Sequence, residues 1–274
     1  MPIYVRQGHV EVAADGKPEE TFYLPHHAVS KGRRGETKWR IVFDASSHEK
    51  GAPSLNDALE MGPKLLPDLF ATLLRFRLPP VATAGDIRQS FLQLQLDEKD
   101  RDLTRFFWYR LVREAEDRYF TTDEVICYQF TRLHFGLTCS PFLLSAAVRE
   151  FAATHTDTFH KAAMLVDRST YMDDFVACAE DDSDVIAIYY QLTALMRKYS
   201  FPMGKWSFNS EPLRDIWKVV GREIEPISQV LGVDWDTNRD ILFTDQRDVS
   251  DTAGGGPTTN RRQLQVISRF YDPM

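Results

Sequence analysis

Two adjacent carboxylates stand between apolar flanks in Tyr171-Met172-Asp173-Asp174-Phe175-Val176-Ala177-Cys178. The pattern predicts a short hydrophobic hairpin with acids at its turn. Taken alone it also describes an ordinary solvated β-turn, because Asp tolerates the backbone angles that turns demand. A third acid changes the balance. Asp86 follows the small apolar run Val81-Ala82-Thr83-Ala84-Gly85, which predicts a carboxylate delivered at the end of a strand. By itself Asp86 reads equally well as a strand-end cap or an ion-pair partner. Three acids on two strand-borne segments, however, suit two hard divalent cations, since Mg²⁺ takes oxygen ligands and is shared between carboxylates and substrate phosphates. Two such ions, roughly 3.5–4 Å apart, stabilise both the attacking and the leaving oxygen of an in-line phosphoryl displacement.

The flanking segments must position those acids. Lys38 to Phe43 alternates as a strand, while residues 15–20, 30–37 and 44–53 are polar and read as loops. Leu69, Phe70, Leu73, Leu74 and Phe76 recur at helical spacing over 67–76, and Pro79-Pro80 stops that helix before the Asp86 strand. Phe91, Leu92, Leu94 and Leu96 continue as a strand or short helix, and residues 97–102 and 113–118 read as charged loops around Phe106-Phe107-Trp108-Tyr109. Pro141 to Phe151 predicts a helix capped by Ser140. Asp181 to Tyr199 predicts another, acidic at its start and basic at Arg197 and Lys198. Leu231-Gly232-Val233-Asp234-Trp235 reads as a hairpin. Gly254-Gly255-Gly256-Pro257 marks a flexible break before an amphipathic stretch, Arg261 to Phe270. Strands interleaved with helices and joined by hairpins predict an α+β architecture.

With 43% hydrophobic and 27% charged residues over 274 positions, the composition is that of a soluble globular chain with a sizeable core. No run approaches the roughly 18 apolar residues of a membrane span, and no secretory core opens the sequence. Cys127, Cys139 and Cys178 lack metal-ligand spacing, so reduced thiols in an intracellular protein are expected. The net charge of −7 runs against a nucleic-acid partner, whose phosphates favour basic proteins. The charge is uneven: Lys and Arg stand to Asp and Glu as 11 to 10 over residues 1–80 but as 5 to 8 over residues 151–210, which hold the acid pair. Bound Mg²⁺ would offset part of it.

The ordered series of Asp86 with Phe91, then Phe135-Gly136-Leu137-Thr138-Cys139-Ser140-Pro141, then Tyr171-Met172-Asp173-Asp174, resembles the A, B and C motifs of reverse transcriptases. Further segments resemble the BEL/Pao-type LTR retrotransposons. These are Tyr23-Leu24-Pro25-His26-His27-Ala28-Val29, Arg40-Ile41-Val42-Phe43-Asp44-Ala45-Ser46, Ser54-Leu55-Asn56-Asp57 with Gly62-Pro63, Leu231 to Trp235, and Phe270-Tyr271-Asp272-Pro273. The resemblance covers nearly everything from residue 21 onward. It implies a right-hand polymerase: fingers over 1–67 and 97–134, a palm with an antiparallel sheet over 68–96 and 135–240, and a linker with a truncated start of thumb over 241–274.

The resemblance also implies roles. Asp86, Asp173 and Asp174, with the backbone carbonyl of Ile87, would hold two Mg²⁺ ions, for which Mn²⁺ could substitute. Arg40 would clamp the triphosphate with its planar fork, helped by Lys38 and Arg33. Phe91 would sit under the sugar and exclude a ribose 2′-hydroxyl, although most Phe residues are simply core. Phe135 and Gly136 would form the platform below the templating base, with Phe135 replacing the Gln of many retroviral enzymes and Cys139 standing where Gly or Ala is commoner. Lys205 is a candidate general acid for the departing pyrophosphate, or an exposed loop lysine. Leu231, Gly232 and Trp235 would grip the primer end, with Trp235 equally readable as core; His26 and His27 read as structural. The expected partners are an RNA or DNA template-primer, deoxynucleoside triphosphates, and the thumb and RNase H segments of a parent polyprotein. The expected location is the cytoplasm, in a virus-like particle for an intact element. Two other readings are a catalytically incompetent remnant with the same fold, and an unrelated metal-dependent phosphotransferase or nuclease; the latter leaves Phe91 and the Phe-Gly and His-His-Ala-Val segments unexplained.

Overall fold

The computed structural model describes residues 1–14, 21–33, 36–115, 118–222 and 225–244. In chain order these form α1 (Pro2–Arg6), β1 (Val10–Val12), β2 (His26–Arg33), β3 (Glu36–Phe43), α2 (Leu55–Ala58), α3 (Leu69–Arg77), β4 (Val81–Ile87), β5 (Arg105–Ala115) and β6 (Arg118–Phe130). They continue as α4 (Ser140–Ala153), α5 (His160–Ser169), β7 (Thr170–Tyr171), β8 (Asp174–Ala179), α6 (Asp182–Lys198), β9 (Met203–Phe208), α7 (Glu211–Val219), β10 (Ile227–Val230), β11 (Val233–Asp236) and β12 (Ile241–Phe243). All named strand pairs are antiparallel, so the mixed helix and sheet expectation stands. Among the described residues no helix is long and apolar enough to cross a membrane. The Gly254–Pro257 break and the Arg261–Phe270 stretch lie outside the described residues.

Two compact units form. The first takes residues 1–65 and 89–146. It holds the sheet β1-β6-β5 and the separate ribbon β2-β3. Its core is aromatic: Phe43, Phe106 and Phe130 are buried and pack edge-on or tilted, with centroids 4.8–5.3 Å apart. The His26 ring joins them, 5.4 Å from Phe43 and 5.1 Å from Trp108. The second unit takes residues 66–88 and the described residues from 147 on. It holds the sheet β7-β8-β4-β9 and the sheet β10-β11-β12. Leu73, Phe76, Ala82, Ala84, Val176, Val230, Val233 and Trp235 make one continuous core there. The alternating small residues of β4 are what let that central strand be covered.

Several elements depart from the sequence expectations. Of residues 30–37, expected as a loop, 30–33 belong to β2 and 36–37 to β3, with a register from His26↔Phe43 to Arg33↔Glu36. Exposure at residues 27–30 and at Trp39 and Arg40 removes the polar-apolar alternation that would have marked the strand. The charged stretch before the aromatic run is a 3-10 helix, Glu98–Thr104, begun by Asp97 accepting the Lys99 amide at 3.2 Å. Residues 113–115 and 118 belong to β5 and β6, not to a loop. Ser140 is the first residue of α4 and its hydroxyl donates to the His134 carbonyl at 2.9 Å, so it does not act as the expected cap. Asp181 does cap α6, accepting the Asp184 amide at 2.9 Å. Helix α5 has no counterpart in the sequence expectations.

Candidate metal and nucleotide site

The acids are brought together by register. Pairing of β4 with β8 sets Asp86 opposite Asp174. The turn between β7 and β8 places Met172 at φ +56, and the Asp173 carbonyl accepts the Ile87 amide at 2.8 Å. Three carboxylates therefore share one end of the sheet in the second unit. Like charges directly opposite each other on a sheet are mutually destabilising. Burial pushes the Asp173 carboxyl up from its usual range, and the Asp86 charge adds to the effect. Burial first, then the Asp173 and Asp86 charges, push Asp174 to about 7.

Lys205 answers part of this. It stands on β9, not in a loop as the sequence implied. Between the pairs Ala84↔Ser207 and Asp86↔Gly204, β9 has two residues against the single Gly85 of β4. Such a bulge re-aims a side chain: Lys205 takes φ +40 and its Nζ lies 3.2 Å from Asp86 Oδ2. The lysine side chain is 86% exposed, so the pair adds about 1 kcal/mol at most. Two glycines make room. A Cβ at Gly85 would come within 2.9 Å of the Trp206 ring, and one at Gly204 within 3.1 Å of Asp86 Oδ1.

The donor set fits a hard divalent cation in chemistry. All three side chains offer oxygen, two are held above their ordinary pKa, and Asp86 Oδ1 is buried without a hydrogen-bond partner. The arrangement is not a closed cage, because among the described residues no three His, Cys, Asp or Glu side chains converge on one point. Side-chain rotation toward an ion would be needed, with Lys205 giving up its place on Asp86.

The remaining candidates lie elsewhere. In the first unit Arg40 is exposed on β3. The side chains of Arg33 and Lys38 lie outside the described residues. Phe91 sits in a 3-10 turn, Ser90–Gln93, and is only 1% exposed. Phe135, by contrast, is 61% exposed, with its ring 4.5 Å from that of Phe91 and steeply inclined to it at 69°. Of the two rings, Phe135 is the one facing solvent. Gly136 takes φ +102, and a Cβ there would meet the Phe43 carbonyl at 2.8 Å.

The hairpin expected to grip a primer is present as β10 and β11, turning at Leu231 and Gly232. One part of that expectation needs correction. Trp235 is 0% exposed, stacks edge-on against Phe76 at 5.1 Å and donates its indole N–H to Asp240 at 2.9 Å, so it is core and cannot touch a primer. Leu231 is also buried, which leaves the exposed Gly232 at the tip. Sequence reasoning missed Gly204 and the strand placement of Lys205, because a one-residue bulge leaves no periodic trace.

Comparison with known proteins bears on these residues. Residues 64–208 match the family described as Reverse transcriptase (RNA-dependent DNA polymerase). No curated protein matches the sequence. Among solved structures, the foamy viral protease-reverse transcriptase in complex with an RNA/DNA hybrid superposes with a TM-score of 0.61 at 15% identity, over 97% of this chain and 28% of that one. A foamy viral protease-reverse transcriptase dRH in complex with double-stranded DNA gives 0.61 at 14% identity, over 97% and 37%. A native Prototype Foamy Virus protease-reverse transcriptase gives 0.51 at 17% identity, over 72% and 21%. The likeness is one of fold, and this chain spans well under half the length of each.

Proposed function

Because this chain belongs to the reverse transcriptase (RNA-dependent DNA polymerase) family, we propose that it adds deoxynucleotides to a primer paired with an RNA or DNA template. The observation that carries the reading is the juxtaposition of Asp86 with Asp174 across β4 and β8, with Asp173 at the adjoining turn. Asp86, Asp173, Asp174 and the Ile87 carbonyl would hold Mg²⁺, or Mn²⁺ in its place. When bound, the ions would lower the charge on the attacking 3′-oxygen and on the departing pyrophosphate.

The chain's own residues do the rest by positioning and charge. Arg40 presents a planar fork suited to triphosphate oxygens. Lys205, released from Asp86, carries a proton on Nζ that it can give to the leaving pyrophosphate. The exposed Phe135 ring, backed by the buried Phe91, offers an apolar surface to the sugar and base. Partners would be a template-primer duplex of the kinds seen in the foamy viral complexes and deoxynucleoside triphosphates. The motif set running from Tyr23-Leu24-Pro25-His26-His27 to Leu231-Gly232-Val233-Asp234-Trp235 supports a BEL/Pao-type retroelement as the source. On that reading, fingers span 1–67 and 97–134, the palm spans 68–96 and 135–240, and residues 241–274 lead toward a thumb. The parent polyprotein would work in the cytoplasm within a virus-like particle.

The test is Mg²⁺-dependent extension of a DNA primer on an RNA template, with Asp173→Asn as the paired control. Extension by the wild type that disappears in the variant supports polymerase and metal site together. Extension that survives Asp173→Asn rejects the assignment of the acids.

A further inference from the structure

The segment from His134 to Cys139 lies between β6 and α4, which Ser140 opens, without a strand partner, so its main-chain groups must be satisfied otherwise. Three carbonyls are met from within the segment. His134 O accepts the Ser140 hydroxyl at 2.9 Å, Phe135 O lies 2.7 Å from His134 Nδ1, and Leu137 O accepts the Ser140 amide at 3.2 Å. The Gly136 carbonyl and the Thr138 amide both go to a single side chain some 80 residues earlier. Asn56 Nδ2 donates to Gly136 O at 2.9 Å, and Asn56 Oδ1 accepts the Thr138 amide at 2.8 Å.

Asn56 is itself held from behind. Its Nδ2 donates to Ser46 Oγ at 2.8 Å, its backbone amide donates to Ala45 O at 3.0 Å, and it lies between Ser54 and Asp57, which form a reciprocal capping box. Both functions of a carboxamide are used, donor and acceptor, at one spacing. Asp would keep the acceptor and lose the donors, and Ala would lose both. From the other side Gly136 is pressed against the Phe43 carbonyl, where no Cβ fits. The residue immediately before this pinned glycine is Phe135, whose exposed ring leans on buried Phe91.

We propose that Asn56 is a positioning residue: by clamping Gly136 and Thr138 it holds the Phe135 ring in place on Phe91 and thereby sets selection between deoxyribose and ribose. This rests on the polymerase reading, in which the exposed Phe135 ring, backed by the buried Phe91, meets the incoming nucleotide. Nothing in Asn56 touches the reacting atoms. Its effect passes through the loop backbone.

The experiment uses the full chain and the variants Asn56→Ala and Asn56→Asp, with three readouts: melting temperature, hydrogen exchange over residues 134–140, and kcat/KM for a deoxynucleotide against its ribonucleotide. Asn56→Ala is expected to speed exchange at Thr138 and to lower the deoxy-over-ribo ratio about fivefold, the net worth of one ordinary hydrogen bond, mainly through a raised KM for the deoxynucleotide. Asn56→Asp keeps the acceptor for the Thr138 amide, so exchange there should stay slow while the ratio falls by less than in Asn56→Ala. It also serves if the alanine variant fails to fold. Faster exchange with an unchanged ratio makes Asn56 a loop staple only and overturns the proposal; so does unchanged exchange in Asn56→Ala. Failure of the wild type to incorporate any nucleotide overturns the polymerase reading and the selectivity claim with it, while the exchange data still decide whether Asn56 anchors the loop.

Discussion

At the acid end of β4 and β8 the backbone is held by ladder register and the side chains are in conflict; in the loop from His134 to Ser140 there is no ladder and side chains complete the backbone. The first arrangement crowds charge that a proton or a cation would relieve. Asp86 Oδ1 is left without a partner, Asp174 is driven to about 7, and one lysine offers partial compensation. The second arrangement leaves little unmet on its backbone and depends on Asn56, Ser140 and His134 being in place. The region proposed to bind ions thus crowds like charges, while the loop meets its backbone groups and leaves the buried His134 Nε2 without a partner.

The largest effect expected from breaking this contrast is on chemistry at the acid end. Asp86→Asn removes one of three charges and should lower primer extension by roughly a thousandfold, in line with the loss of a single electrostatic stabiliser from an active site. It should not lower the melting temperature of the metal-free protein, because a repulsive charge goes with it. A fall in stability equal to the fall in activity would show that Asp86 is a structural ion-pair partner of Lys205.

The next effect is in the loop and depends on pH. Burial pushes the His134 ring down from 6.5 to about 4, against the opposing pull of the Phe135 carbonyl. A histidine whose folded pKa is depressed contributes stability that is complete above 6.5 and is lost as the pH falls toward 4. The loss over that window amounts to about 3 kcal/mol, at 1.36 kcal/mol per pKa unit. His134→Asn keeps a donor for the Phe135 carbonyl without titrating, so urea unfolding across this range should show a much flatter slope than wild type. Equal slopes would mean that the ring is already charged in the native state.

Gly136→Ala tests the same loop by shape. A non-glycine residue at φ +102 is strained, and the new methyl would stand 2.8 Å from the Phe43 carbonyl. A cost of about 2 kcal/mol is expected, the size of a forced left-handed residue, measured as a drop in the urea midpoint. Gly204→Ala at the acid end should cost less, since its φ is not in that region and its nearest neighbour is a carboxylate oxygen at 3.1 Å.

The two regions were also unequally legible. The acid end could be read because its strands are apolar and short, so Val81 to Gly85 and Phe175 to Cys178 announce themselves and their acids fall at the ends. The fold class followed from the same interleaving of strands and helices. What escaped was whatever depends on contacts distant in sequence. Asn56 carries no local mark of its role, because its partners lie some 80 residues away. The β2 strand leaves no alternating pattern because residues 27–30 are all exposed. The placement of Trp235 turned on burial, and an apolar hairpin residue reads the same whether it faces a core or a ligand.

The smallest effect sharpens the contrast from the acid side. A carboxyl whose folded pKa stands above its unfolded one takes up protons on folding, so stability present at low pH is lost as the pH rises from 3.8 to about 7. That is the opposite sign to His134, and the two windows overlap. Asp174→Asn removes Asp174's share of the acid-end contribution and leaves the loop's untouched. The metal-free variant should therefore melt higher than wild type at about pH 8 and close to it at about pH 4, where wild-type Asp174 is already protonated when folded. Adding Mg²⁺ at the higher pH should narrow the gap by stabilising the wild type more than the variant, since an ion that binds only the native state raises its stability. An Asp174→Asn protein that melts lower at every pH, with or without Mg²⁺, would place Asp174 among residues that hold the sheet and remove it from those that hold an ion.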